Sequence, residues 1–189
     1  MKRLLIAVWL IMVPGVALAF DPATRATRIG VLRGDGDVQQ FVVDTLRKEL
    51  RERGFDAFDA LRTHEELIED GAAVADFYIE LAGARTTTTE HGGVGIGGRH
   101  GDVSLGLLIS RVAAELRVYD GETLELVASH DLAKRNTALV PTSVGIGSRA
   151  LFAWVALPFI ERAQVRSVMR ATAREAAVVV AEAVSKPAE

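Results

Sequence analysis

Apolar residues in this chain recur with two different periods, and the switches between them mark out the elements. From Arg28 to Arg33 (RIGVLR) a short β-type run ends in the loop Gly34-Asp35-Gly36-Asp37. Behind it Val38, Phe41, Val42, Leu46 and Leu50 share one helical face as far as Gly54, with Asp37 and Gln40 at capping-box spacing. Phe55 to Leu61 predicts a second strand, and Thr63 with Glu66 predicts another capping box over a brief helix closed near Gly71. Phe77, Ile79 and Leu81 then alternate with Tyr78, Glu80 and Ala82, as in a half-buried strand.

From Val103 to Tyr119 the β pattern is long. Val103, Leu105, Leu107 and Ile109 keep one phase whereas Val112, Ala114, Leu116 and Val118 keep the other, which predicts a bulge near Ser110-Arg111. An Asp120-Gly121 turn leads into a return strand through Leu124, Leu126, Ala128 and Leu132. Pro158 suits a first helical turn, and from Val165 onward Val168, Met169, Thr172, Ala176, Val179, Val180 and Ala183 repeat at helical spacing. The expected fold class is α/β (α+β): a mostly antiparallel sheet of about five strands with helices packed on one side, a long C-terminal helix and a protruding glycine-rich hairpin.

That hairpin comes from a repeat. Gly93-Val94-Gly95-Ile96-Gly97-Gly98-Arg99 nearly recurs as Ser143-Val144-Gly145-Ile146-Gly147-Ser148-Arg149. Glycine alternating with Val or Ile makes a strand with one thin apolar face, poor at specifying a core and suited to close packing against another backbone or lipid. Val94, Ile96, Arg99, Val144, Ile146 and Arg149 are therefore candidate interaction residues. The second copy runs into Ala150–Leu157 (ALFAWVAL), too short for a membrane helix and read as a buried strand or an interfacial segment.

Composition narrows the class of protein. Of 189 residues 49% are hydrophobic and 25% charged, which excludes a disordered or fibrous chain. There is no cysteine, so disulfides, thiolate catalysis, Cys-ligated metals and the lipid-acceptor thiol of a bacterial lipoprotein are all excluded. A formal charge of −3 argues against nucleic-acid binding. At the N-terminus Lys2 and Arg3 precede the apolar run Leu4 to Val13, a Pro14-Gly15 break and Ala17-Leu18-Ala19, the three regions of a secretory signal peptide. Cleavage after Ala19 removes Lys2 and Arg3 and takes the charge from −3 to −5. The expectation is a signal peptide over residues 1–19 and a single, unlipidated periplasmic domain over 20–189, with a glycine-rich insertion at about 86–109.

Candidate chemistry is sparse. Asp35 and Asp37 in the first loop would repel a phosphate, and Gln39 stands where a dinucleotide fingerprint needs its third glycine. His64, His91, His100 and His130 lack the spacing of a metal-binding helix, and only His91, His100 and Asp102 cluster, inside the glycine-rich segment where a rigid ligand geometry is hard to hold; no serine stands in a Gly-x-Ser-x-Gly elbow. No catalytic residue, cofactor or metal is expected. One pattern remains unexplained: Arg162, Arg166, Arg170 and Arg174 lie four residues apart on one helical face, a like-charge ladder that something must offset. Neutralisation by Glu161, Glu175 and acidic sheet residues is one reading, and a contact surface for an anionic partner is the other.

The element order, with "ADFYIELAG" over Ala75–Gly83, the glycine-rich insertion, Asp120, Thr123 and Glu125–Val127 at the turn, and the terminal helix, resembles an envelope domain. That domain is shared by the curli secretion-channel lipoprotein, the lipoprotein activators of penicillin-binding proteins and the N-terminal domain of the Tol-system propeller protein. The resemblance implies a non-enzymatic accessory or assembly protein that binds other envelope proteins or forms homo-oligomers, with outer-membrane contact; the charge leaves no nucleic acid among its partners. It also supplies an alternative: an oligomeric outer-membrane channel subunit, in which residues 86–109 and 139–157 would line a barrel. An envelope enzyme with an unrecognised site is the second alternative.

Overall fold

The computed structural model describes residues 25–71, 74–98, 101–144 and 150–185, with side chains throughout except at 92–98, 101–104, 141–144 and 150–157. The elements run β1 (Arg28–Val31), α1 (Gly36–Glu52), β2 (Asp56–Asp59), α2 (His64–Asp70), β3 (Phe77–Gly98), β4 (Gly101–Asp120), β5 (Leu126–Val144) and α3 (Ala150–Ser185). Among the described residues they form one open sheet in the order β2-β1-β3-β4-β5. β1 is parallel to both β2 and β3, because α1 carries the chain back between β1 and β2 and the segment with α2 does so between β2 and β3. The long strands β3, β4 and β5 form an antiparallel meander.

One face of the sheet holds the main core. Ile29, Val31, Ile79, Leu81, Leu116 and Val118 project toward Val42, Val43, Leu46 and Leu50 of α1 and toward Val168, Met169, Ala173, Ala176, Ala177 and Val180 of α3. The alanines of α3 let its backbone come close, and the helix lies across β4 and β5 and alongside α1. Gln164 of α3 donates from Nε2 to the carbonyls of Leu108 (2.9 Å) and Asn136 (3.0 Å), tying the helix to both strands.

The helices are not all on one side. α2 packs through Leu67 on the opposite face, against Leu32, Tyr78 and Tyr119. Its capping box is as expected: the Thr63 hydroxyl accepts from Glu66 N–H, and the Glu66 carboxylate accepts from Thr63 N–H at 2.9 Å. Under this small layer Gly30 is required by close approach, since a Cβ there would meet the Tyr78 ring at 2.6 Å.

Other expectations are corrected. α1 has Asp35 at its N-cap with no side-chain cap bond, so Asp37 is a first-turn acid and not half of a capping box. β4 runs without the bulge expected at Ser110-Arg111: Leu108, Ser110, Val112, Ala114, Leu116 and Val118 are all buried, one unbroken phase. The extra residues are in the neighbouring strands instead, between Ala82 and Arg85 and between His91 and Val94 on β3, and opposite Ser104/Leu105 and Val118/Tyr119 on β5. Gly83, in the first of these, adopts φ +61°. Pro158 lies inside α3, not in its first turn, and Ala150–Leu157 opens that helix instead of forming a strand. Helical spacing further along overrides a local apolar run that, at eight residues, reads equally as strand.

Candidate functional site

The extension of β3, β4 and β5 beyond the compact body has two unlike faces. Toward α3 it buries Leu108, Ser110 and Val140. Away from α3 and above α2 no described element covers it, and the register lays its side chains out in rows. Nearest the body, Glu115 stands opposite Asp131, and the next row holds Arg85, Ala113 and Ala133. Beyond them come Thr87, Arg111 and Arg135, then Thr89, Ile109 and Thr137, then His91, Leu107 and Leu139. Rows on one face are two residues apart, about 7 Å. Charge and polarity therefore change in order along the strands, from acidic through basic to apolar.

The apolar end is open to solvent: Leu139 is 68% exposed, Leu107 41% and Leu105 36%. The basic rows are exposed as well, and none of Arg85, Arg111 and Arg135 makes an ion pair among the described residues. Arg111 and Arg135 are directly opposite in register, an arrangement that costs stability. The acidic end is engaged internally. Glu115 accepts from Arg117 at 2.7 Å and from Ser129 at 2.9 Å, and these bonds, the arginine's first, hold its carboxyl below the usual range. Arg117 also approaches Glu80 at 3.5 Å, and Tyr119 OH donates to Glu80 at 2.7 Å. Burial first, and then that bond to a carboxylate, pushes the Tyr119 hydroxyl up to about 12. His64 stacks on the same ring with centroids 3.9 Å apart.

The residues singled out in sequence fall into two groups. The sheet brings the two glycine-rich copies to the same place: Val94 pairs with Leu105, Ile96 with Val103, and Val103 in turn with Val144. Arg99, Ile146 and Arg149 lie outside the described residues. Arg162, Arg166, Arg170 and Arg174 are exposed on α3 along its seam with α1. Their neutralisation differs from the expectation, because Glu175 is taken by Lys134 of β5 at 2.9 Å. For Arg174 the counter-charge comes from α1, where Glu49 binds it at 3.0 Å. Arg162 and Arg166 border a cleft of about 520 Å³ with an apolar floor of Val38, Phe41, Val165 and Met169, and Asp37 and Glu161 share its rim. The arginines of the open sheet face escaped sequence reasoning, since Arg85, Arg111 and Arg135 become neighbours only through strand register.

Among the described residues no group of three or more His, Asp or Glu side chains is placed to hold a metal ion. No described helix is long and apolar enough to cross a membrane. No protein-family model matches the chain, and no curated protein matches it. Several solved structures are similar in outline. A minor lipoprotein from Acinetobacter baumannii is 11% identical, with 82% of this chain and 93% of that one covered and a TM-score of 0.46. A putative lipoprotein from Caulobacter crescentus is 13% identical over 85% of this chain and 93% of that one, with a TM-score of 0.44. PelC from Paraburkholderia phytofirmans, solved as a dodecamer, is 13% identical over 84% and 89%, with a TM-score of 0.40. This chain contains no cysteine.

Proposed function

We propose that this protein is a non-enzymatic accessory or assembly component of the bacterial cell envelope, acting by surface contact, and that the open face of the β3–β5 extension is its contact surface. One observation carries the reading: leucines that the core does not use, Leu105, Leu107 and Leu139, are exposed side by side on a sheet face that no described element covers. The signal-peptide pattern of residues 1–19 supports work outside the cytoplasm, and on this reading the mature chain begins at Phe20 and carries no lipid. Intact mass of the exported protein tests that start. For the surface itself, a photo-crosslinking residue is placed in living cells at Leu107 or Leu139, and for comparison at Glu52 on the far end of α1. Adducts are expected from the two sheet positions and not from Glu52. Equal labelling at all three, or none, overturns the reading.

A channel subunit is the second reading, favoured by strand length. β3 and β4 have 22 and 20 residues, so their paired outer parts exceed the roughly 9 to 11 residues of a membrane-crossing strand. Heat-resistant oligomers that stay with the outer membrane after a salt wash would select it over the accessory reading.

A further inference from the structure

The ordered rows of the open face point to a specific occupant. We propose that this face docks on an anionic lipid surface, with Leu107 and Leu139 entering the headgroup layer and Arg85, Arg111 and Arg135 bound to lipid phosphates. The proposal rests on the contact reading above and names its partner.

The geometry orients the molecule. Ile109 lies one row, about 7 Å, beyond the Arg111–Arg135 pair, and Leu107 with Leu139 lies about 14 Å beyond it. A tilted sheet thus brings apolar side chains to the shallow depth at which interfacial segments bury their apolar faces, while the long arginines reach up to the phosphates. On the other side of the basic rows, Glu115 and Asp131 stand about 14 Å nearer the body, where repulsion from an anionic surface keeps them in water. Lipid phosphates also relieve the opposed Arg111 and Arg135, which have no acid of their own among the described residues.

A second copy of the chain fits less well. A two-fold contact that sets the Arg111 row of one copy over the Glu115 row of the other carries the Leu107 row of each copy onto the other's Tyr119 row, which α2 already covers, so the two sheet faces cannot close on each other there. The α3 arginines fit less well too, since Asp37 and Glu161 share their cleft and Glu49 holds Arg174.

The test is flotation of the protein with phosphatidylcholine vesicles, with and without phosphatidylglycerol. The protein is expected to float with phosphatidylglycerol vesicles, to release on raising salt, and to stay behind with phosphatidylcholine alone. Removing two charges near such a surface, in R111Q/R135Q, is expected to lower partitioning about thirtyfold. L107S/L139S is expected to weaken it as well, whereas R166Q/R170Q leaves it unchanged, and circular dichroism confirms that each variant folds. Flotation that ignores R111Q/R135Q, or that R166Q/R170Q abolishes, overturns the proposal. Release by millimolar inorganic phosphate at constant ionic strength would mean a site for the free anion and also overturn it. No flotation, together with a doubled mass in sedimentation that R111Q/R135Q reverses, would identify a second copy instead. If flotation fails while Leu107 and Leu139 still crosslink in cells, the lipid assignment falls and the contact reading stands; if both fail, both fall.

Discussion

The two faces of β4 can be compared residue by residue, because one strand supplies both. Its even positions from Leu108 to Val118 are buried under α3 and α1. Its odd positions carry Leu105, Leu107, Arg111 and Ala113 into solvent. Both rows contain leucine, so hydrophobicity alone does not say which leucines fold the protein. What separates them is whether a helix lies above. Stability is therefore concentrated on one face, and the other is free to carry contacts that folding does not need.

The largest expected effect comes from making the same substitution on each face. Leu116 is fully buried, and Leu116→Ala removes its packing and leaves a cavity, costing about 2–5 kcal/mol. Leu107→Ala, on the same strand but facing solvent, is expected to stay within about 0.5 kcal/mol. Urea denaturation of both variants checks this; equal losses would mean that the open face is covered in the folded protein.

Next in size is Gln164, which holds the covered face together. It is 5% exposed and donates to carbonyls on two strands, so Gln164→Ala leaves the Leu108 and Asn136 carbonyls without that donor under α3. The expected loss is about 1–3 kcal/mol by denaturation, with faster amide exchange at the β4–β5 extension than at β1. A loss confined to α3 would break the link between the helix and the extension.

How much of this was legible in the sequence follows the same division. Helices with strong periodicity were readable: Val42, Leu46 and Leu50 of α1 and Val168, Met169, Ala176 and Val180 of α3 are buried where their spacing puts them. The phase of β4 was not. Leu105, Leu107 and Ile109 look like core by composition, and a sequence rule that sends apolar residues inward has to invent a bulge to accommodate them. In the structure the strand keeps its phase and those residues face outward. The basic rows were illegible for a different reason: Arg85, Arg111 and Arg135 are 26 and 24 residues apart, and only pairing brings them together. The α3 ladder, visible at four-residue spacing, was the easier pattern, and α1 supplies the counter-charge for Arg174.

A pH-dependent effect separates the part of the second face that α2 covers from the part left open. Tyr119 lies under α2, and its hydroxyl is raised to about 12 by burial and by the Glu80 carboxylate, against about 10 in an unfolded chain. The folded-state value is the higher one. Stability from the neutral hydroxyl is thus fully present below about pH 10 and is lost as pH rises toward about 12. Tyr119→Phe should flatten that loss in alkaline denaturation, at the cost of the Glu80 bond at neutral pH. An unchanged alkaline limb would show that Tyr119 is not the group that titrates.

The smallest expected effect is on the open face itself, and its sign is opposite. Arg111 and Arg135 are directly opposed, and neither has a carboxylate within ion-pair distance among the described residues. Opposed like charges destabilise a strand pair by roughly 0.2–1 kcal/mol, so Arg135→Gln, which keeps a long polar side chain, should raise stability by a few tenths of that scale. Salt provides the control. At about 0.1 M the Debye length is near 10 Å, longer than the separation of cross-strand neighbours, so added salt screens the pair only progressively. Stability of the original protein should rise with salt more steeply than that of the variant, and the two should converge at high salt. If Arg135→Gln instead destabilises, and salt does not narrow the difference, Arg135 contributes to folding and the open face is not separate from the fold.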